Sequence, residues 1–157
     1  MVEIHLICGF IGFGKTTYAK KLERELQAVR FTHDEIMVER YGRSPDDFAR
    51  KYKIVDDFIK EEAAKLVSNG KSVILDYGFW SRDVRRNYYE WAKKLTDKVY
   101  FHSIVCNLEV AKQRVLKRSQ ENKSELFIDE DCFNALLSKY EPICEDEGYP
   151  IILYHSN

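Results

Sequence analysis

The residues of this 157-residue chain with the plainest chemical meaning are Gly9-Phe10-Ile11-Gly12-Phe13-Gly14-Lys15-Thr16. Gly9, Gly14, Lys15 and Thr16 satisfy each defined position of G-x-x-x-x-G-K-[ST], a pattern that ordinary residue frequencies produce by chance in a chain this long about half a percent of the time. Glycines let the main chain turn several N–H groups toward phosphate oxygens, and the helix that follows adds its positive N-terminal end. The lysine then reaches the β and γ phosphates, and the threonine hydroxyl suits Mg²⁺. A flexible glycine turn alone does not explain why Lys15 and Thr16 fill the two demanding places. The candidate nucleotide-binding set is therefore Gly9, Phe10, Ile11, Gly12, Phe13, Gly14, Lys15, Thr16 and Thr17.

Phosphoryl transfer also needs a group that orients the acceptor and cations that meet the developing charge. Asp34, in FTHDEIM directly after an apolar strand-like segment, is placed to orient a hydroxyl, or alternatively to N-cap a helix beginning at Glu35. Asp76 closes Ser72-Val73-Ile74-Leu75 in the manner of a Walker B strand, and joins Thr16 as a candidate metal residue and Asp34 as a candidate substrate residue. Arg114 and Arg118, four apart in AKQRVLKRSQ, emerge from one helical face; Arg114 is the candidate catalytic arginine and Arg118 a further nucleotide contact. Ser81 is a helix N-cap, and Arg82, Arg85 and Arg86 follow it. Basic groups there oppose the helix dipole and point to a nearby anion, which makes Arg82 and Arg86 candidate substrate contacts. Trp80, Tyr88, Tyr89 and Trp91 could frame an acceptor pocket, although such spacing is more often that of a core. His33 reads as a loop histidine, and His5, His33, His102 and His155 have no ligand spacing.

The elements that must position these groups alternate in type. Apolar runs at 2–8, 29–32, 72–76, 98–105 and 151–154 read as strands. Between them, Ile54, Val55, Phe58, Ile59, Ala63, Leu66 and Val67 recur at helical spacing up to Asn69-Gly70; Tyr88, Trp91, Ala92 and Leu95, and then Leu108, Ala111, Val115 and Leu116, do the same. Such alternation implies an α/β fold with a parallel sheet covered on both faces. No repeat or linker divides the chain, so 1–157 is expected to be one domain.

Composition narrows the partners. Net charge is −1, yet residues 81–123 carry eleven Lys or Arg against five acids, and 124–157 one against eight. A basic middle suits a polyphosphate, whereas a near-neutral total argues against a general nucleic-acid binder. No apolar run approaches the ~20 residues of a membrane span, so the expectation is a cytoplasmic protein with no membrane partner. Cys8, Cys106, Cys132 and Cys144 show no paired spacing and read as core or incidental thiols. A guanine-reading N-K-x-D is not matched: Asn122-Lys123-Ser124-Glu125 ends in Glu.

Through LICGFIGFGKTT, FTHDEIM, VILDYGFWSRDVRR and CNLEVAKQRVLKR the chain resembles the P-loop kinases of the zeta-toxin and chloramphenicol-phosphotransferase-like group, often labelled AAA-domain ATP-binding proteins, and the kinase domain of phage polynucleotide 5′-kinase. The resemblance implies a three-layer P-loop NTPase fold, a five-stranded parallel sheet of order 2-3-1-4-5 and a short helical lid at about 108–128. It implies ATP and Mg²⁺ as ligands, Asp34 as the acceptor-activating carboxylate and Arg114 as the lid arginine at the reacting phosphate. It departs from the pattern at Met37, where polynucleotide and zeta-type kinases tend to carry an arginine that holds the acceptor; Arg40 lies one turn further on. The expected activity is transfer of the γ-phosphate of ATP to a hydroxyl of a small-molecule acceptor. A polynucleotide 5′-hydroxyl kinase and a nucleotide-gated ATPase module are the alternatives, with acceptor identity and oligomeric state left open.

Overall fold

The computed structural model describes residues 1–121 and 127–156. Five strands, β1 (Ile4–Cys8), β2 (Val29–Thr32), β3 (Val73–Gly78), β4 (Val99–Val105) and β5 (Ile151–His155), alternate with α1 (Lys15–Leu26), α2 (His33–Tyr41), α3 (Phe48–Ser68), α4 (Arg82–Leu95), α5 (Leu108–Glu121) and α6 (Glu130–Leu137). The strands form one sheet in the order β2-β3-β1-β4-β5, every neighbouring pair parallel. Both the α/β class expected from the alternating elements and the 2-3-1-4-5 order implied by the resemblance are met. The α6 helix and a single 3₁₀ turn at Glu145–Glu147 have no counterpart among the expected elements.

Two apolar clusters follow from strand alternation, in which successive side chains point to opposite faces. Ile4, Leu6 and Cys8 of β1 pack with Val55, Ile59 and Ala63 of α3 and with Tyr88 and Ala92 of α4. Ile7 turns the other way, toward Ala19 of α1, Ile74 and Ile104. His5 shares that second face, and its buried ring lies in a polar chain. Its Nε2 meets Glu3 Oε1 at 3.0 Å and its Nδ1 meets His102 Nε2 at 2.8 Å; the Tyr18 hydroxyl completes the chain at 2.7 Å from His102 Nδ1. With Glu3 ionised, one direction of donation satisfies all four groups: Tyr18 to His102, His102 to His5, His5 to Glu3. Desolvation pushes His102 down to about 3, with the neighbouring His5 adding to the effect, so the chain is held in its neutral form. The two histidines are thus structural, and among the described residues no group of three or more His, Cys, Asp or Glu could hold a metal ion.

The register sets the working edge. Thr32 of β2 and Ile7 of β1 both lie level with Asp76 of β3, so the loops that leave β1, β2 and β3 emerge together at the carboxyl ends of the strands. Among the described residues no helix is long and apolar enough to cross a membrane, and the four cysteines are free thiols.

Candidate functional site

The loop between β1 and α1 is anchored from behind. Gly9 N–H donates to Gly78 O at 3.0 Å, tying its start to the end of β3. Phe10, fully buried, packs its ring 5.0 Å from Trp80, 5.1 Å from Tyr140 and 5.2 Å from Phe133. Phe13 is also buried. These aromatic anchors leave Ile11, Gly12 and Gly14 to face a cavity of about 230 Å³. Gly12 has φ +77°, and a Cβ there would lie 2.6 Å from Ala111 O of α5. Only glycine fits, because α5 sits directly on the loop. Gly14 precedes α1 in a left-handed conformation and makes no side-chain cap, so the first N–H groups of the helix carry no capping side chain, as an anion site requires.

Lys15 reaches back across the loop, its Nζ donating to Phe10 O at 3.0 Å. Desolvation lowers its pKa, while Asp76 and Asp34 act in the opposite sense and favour the ammonium. Thr16 Oγ1 donates to Asp76 Oδ2 at 2.6 Å, and Thr32 Oγ1 donates to the same oxygen at 3.0 Å. Asp76 is 4% exposed. A hydroxyl and a carboxylate oxygen side by side on the phosphate cavity are hard donors of the kind Mg²⁺ takes, and Mg²⁺ is commonly held by one or two protein oxygens together with phosphate and water.

Asp34 lines the same cavity from the first turn of α2. The N-cap of that helix is Thr32 and α2 already includes His33, so the alternative in which Asp34 caps a helix beginning at Glu35 is replaced. His33 is likewise no loop residue. It is 2% exposed, with its ring stacked 3.8 Å from Tyr52 and its Nε2 donating to Tyr52 O at 3.0 Å. Burial lowers its pKa and keeps it neutral. Desolvation raises the Tyr52 hydroxyl pKa, and the charges of Asp34 and Asp56 raise it further. Tyr77 faces the cavity beside Asp34, with its hydroxyl donating to Asp56 Oδ1 at 3.0 Å. Tyr88 donates to the same carboxylate oxygen from within the core, which removes it from any acceptor pocket.

The arginines divide. Arg118 lines the phosphate cavity and a second one of about 530 Å³, which it shares with Gly12, Gly14 and Thr17. Arg114 lines only the second, with Tyr18, Tyr154, His155 and Ser156. The catalytic arginine expected at position 114 therefore sits toward the β5 side of the loop, and the guanidinium beside Lys15, Thr16, Asp34 and Asp76 is that of Arg118. Of the expected lid, 122–126 lies outside the described residues, as does the Asn122-Lys123-Ser124-Glu125 run.

Arg82 and Arg86, expected at the substrate, are not brought to either cavity. Arg82 Nη2 donates to both Asp146 oxygens at 2.8 and 3.0 Å, and Arg86 Nη2 donates to Asp83 at 2.8 Å. Arg85, fully buried between them, forms a bidentate pair with Glu147 at 2.8 and 3.0 Å and donates from Nη1 to Phe79 O and Glu141 O. For Arg82 and Arg85 the anion that the basic helix start called for is the chain's own acidic tail, whereas Arg86 is met by Asp83 of its own helix. Asp146 and Glu147 lie 62 to 64 residues away, beyond any local pattern.

Sequence reasoning did not single out Lys20, Thr32, Glu35 or Tyr77, all of which line the phosphate cavity, nor Ser156. Tyr77 follows Asp76 directly and Lys20 lies one helical turn beyond Thr16, so both were within reach of a spacing argument. Ser156 was not. It comes to the loop because β5 pairs with β4, and its hydroxyl donates to Phe13 O.

The fold is shared with solved structures of low sequence identity. A protein from Chloroflexus aurantiacus assigned as a kinase aligns with a TM-score of 0.78 at 18% identity, covering 98% of this chain and 88% of its own. Kti12 of Chaetomium thermophilum, solved with ADP-AlF3, aligns with a TM-score of 0.75 at 17% identity over 98% and 89% of the two chains. A gluconokinase from Sinorhizobium meliloti aligns with a TM-score of 0.63 at 14% identity over 98% and 82%. No curated protein matches the sequence. The AAA domain family model matches residues 4–143, a span that runs from β1 through α6 and takes in the phosphate loop, Asp34, Asp76 and Arg118. With that match over most of its length, the chain belongs to the AAA domain family of ATP-binding P-loop proteins.

Proposed function

We propose that the protein is a Mg²⁺-dependent phosphotransferase that moves the γ-phosphoryl group of ATP to a hydroxyl of a small-molecule acceptor. The observation that carries this reading is the presence of the Asp34 carboxylate on the same cavity wall system as Lys15, Thr16 and Asp76. A binding module needs the last three residues; it has no use for a further carboxylate on the same cavity.

In this reading the loop amides and Lys15 hold the β and γ phosphates, and Thr16 and Asp76 hold the metal ion, which when bound neutralises charge on the phosphate oxygens. Asp34 orients the acceptor hydroxyl. As the acceptor oxygen bonds to the γ-phosphorus and the bond to the β-phosphate bridging oxygen breaks, the hydroxyl proton passes to Asp34 and ADP leaves. Arg118, at the rim with the loop, meets the charge that spreads over the moving group. The gluconokinase among the similar structures supports the fold as one that serves hydroxyl phosphorylation, without naming the acceptor here.

The test is transfer of labelled γ-phosphate across a panel of hydroxylated compounds. Asp34→Asn is expected to lower transfer by about 10²- to 10⁴-fold, the usual worth of a positioned base, while leaving ATP affinity near that of the unmodified protein. Full transfer by the variant, or ADP release that no acceptor stimulates, overturns the reading; the second result would identify a nucleotide-gated ATPase module instead.

A further inference from the structure

The second cavity borders the phosphate loop, with Gly12, Gly14 and Thr17 lining both spaces, so a nucleotide held by its phosphates on the loop has room there for its base. Its aromatic wall is formed by Tyr18 of α1 and Tyr154 of β5, whose rings lie 4.9 Å apart. Tyr18 is also the cavity end of the polar chain that runs through the sheet to Glu3.

The direction of that chain is fixed from its far end. An ionised carboxylate only accepts, so the 3.0 Å contact with Glu3 Oε1 requires the proton of His5 on Nε2. Burial lowers the His5 pKa and keeps the ring neutral, which leaves its Nδ1 bare. Across 2.8 Å that nitrogen must accept from His102 Nε2. His102 Nδ1 is bare in turn and accepts the Tyr18 hydroxyl proton across 2.7 Å. With its one proton committed inward, the Tyr18 oxygen has only a lone pair to offer the cavity. A ligand group that hydrogen-bonds to it there must be a donor. Adenine carries an exocyclic amine, whereas guanine and hypoxanthine carry a carbonyl oxygen at the same place, which would oppose lone pair to lone pair.

We propose that Tyr18 reads the base of the bound nucleotide and selects an amino-bearing purine over its oxo counterpart, and that Glu3 sets this preference from the amino end of β1 by fixing the direction of the chain. Tyr18 touches the base; Glu3, His5 and His102 are positioning residues that act through it. The inference rests on the nucleotide-binding part of the phosphotransferase reading, and its test reads binding alone, so failure of transfer and failure of base selection are separate results.

The experiment is calorimetry of the full chain with Mg-ATP and with Mg-ITP, which differ in that amine and carbonyl, alongside thermal unfolding. The unmodified protein is expected to bind ATP roughly 10- to 100-fold more tightly than ITP, the usual worth of an unmade hydrogen bond in a desolvated site. Glu3→Gln keeps the side-chain shape, but its amide can donate to His5 Nε2, which lets the chain run in reverse and turns the Tyr18 proton toward the cavity. The ATP-to-ITP ratio should then fall by about tenfold. A purely structural role for the chain would change Tm, or both affinities together, and leave the ratio as it was. Tyr18→Phe, which removes the hydroxyl alone, should bring the ratio near one and decides the matter should Glu3→Gln fail to fold. Equal affinity of the unmodified protein for the two nucleotides, or an unmoved ratio in either folded variant, overturns this inference and leaves the phosphotransferase reading standing. Binding of neither nucleotide overturns both.

Discussion

Two groups of basic residues look alike along the chain and do unlike things in the fold. Lys15, Lys20 and Arg118 open onto the phosphate cavity. Arg82, Arg85 and Arg86 begin α4 and face Asp146, Glu147 and Asp83. The first group lines a cavity that an anion from outside can enter; the second is matched to anions supplied by the chain itself. A cation at a helix start thus reports a need for negative charge, without reporting who meets it. At α4 the consequence is mechanical: Arg85 ties the Phe79 and Glu141 carbonyls together, next to Trp80, whose indole N–H donates to Gly9 O at 3.2 Å. The buried pair supports the back of the phosphate loop without entering the cavity.

Breaking each group should therefore move a different observable. The largest effect is expected for Glu147→Ala. It strands the Arg85 guanidinium in the core, where both side chains of the pair are nearly inaccessible at 0% and 4% exposure. A buried pair broken on one side costs about 3–5 kcal/mol, or a fall in Tm on the order of 10 °C for a domain of this size, measured by thermal unfolding. Lys15→Ala should invert that pattern. It removes a charge-assisted contact with phosphate worth about 1.5–3 kcal/mol, a loss of about 10- to 150-fold in ATP affinity by calorimetry. Tm should stay level or rise, since the lysine is a desolvated ammonium in the empty-handed protein. Loss of stability without loss of binding in Lys15→Ala would collapse the distinction between the two groups.

Acid should act on the second group before the first. Burial alone would raise the Glu147 carboxyl, but hydrogen bonds from Arg85 and from the Cys144 N–H outweigh it and hold the pKa below the ordinary value of 4.5. A carboxyl depressed in the folded state contributes stability that is complete above its unfolded value and lost as pH falls through the folded one. Stability of the unmodified protein should thus decline below about pH 4.5, and Glu147→Gln, destabilised at neutral pH, should show a shallower decline in the same range. The smallest effects belong to Arg82→Ala and Arg86→Ala. Their partners are solvent-exposed, so each should leave Tm nearly unchanged and phosphate transfer unaltered. A tenfold fall in transfer for either would return them to the substrate.

Much of this was legible in the chain because it is local. The five strands fall within two residues of their expected bounds, and Ser81 caps α4 by accepting from Val84 N–H at 3.2 Å, since strand alternation and capping act over a few residues. Asp34 and Asp76 reach the phosphate cavity for the same reason: Asp34 lies just past β2 and Asp76 in the carboxyl half of β3, strands whose places in the sheet follow from the resemblance. The misplacements share a different cause. Arg114 and Arg118 do share a helical face, but the packing of α5 on Gly12 decides which of the two lines the cavity with Lys15 and Asp76. His33 is buried because α3 lays Tyr52 over it, 19 residues away in sequence.

By itself the sequence determined the strand order's raw material, the phosphate loop and the acid-bearing strand ends, because each is written in neighbours close along the chain and enforced by backbone geometry. The tertiary structure alone decided which charges remain turned toward a ligand and which are consumed internally. That choice depends on desolvation and on partners dozens of residues apart, and both exist only once the sheet has gathered its edges and the acidic tail has closed over Arg85.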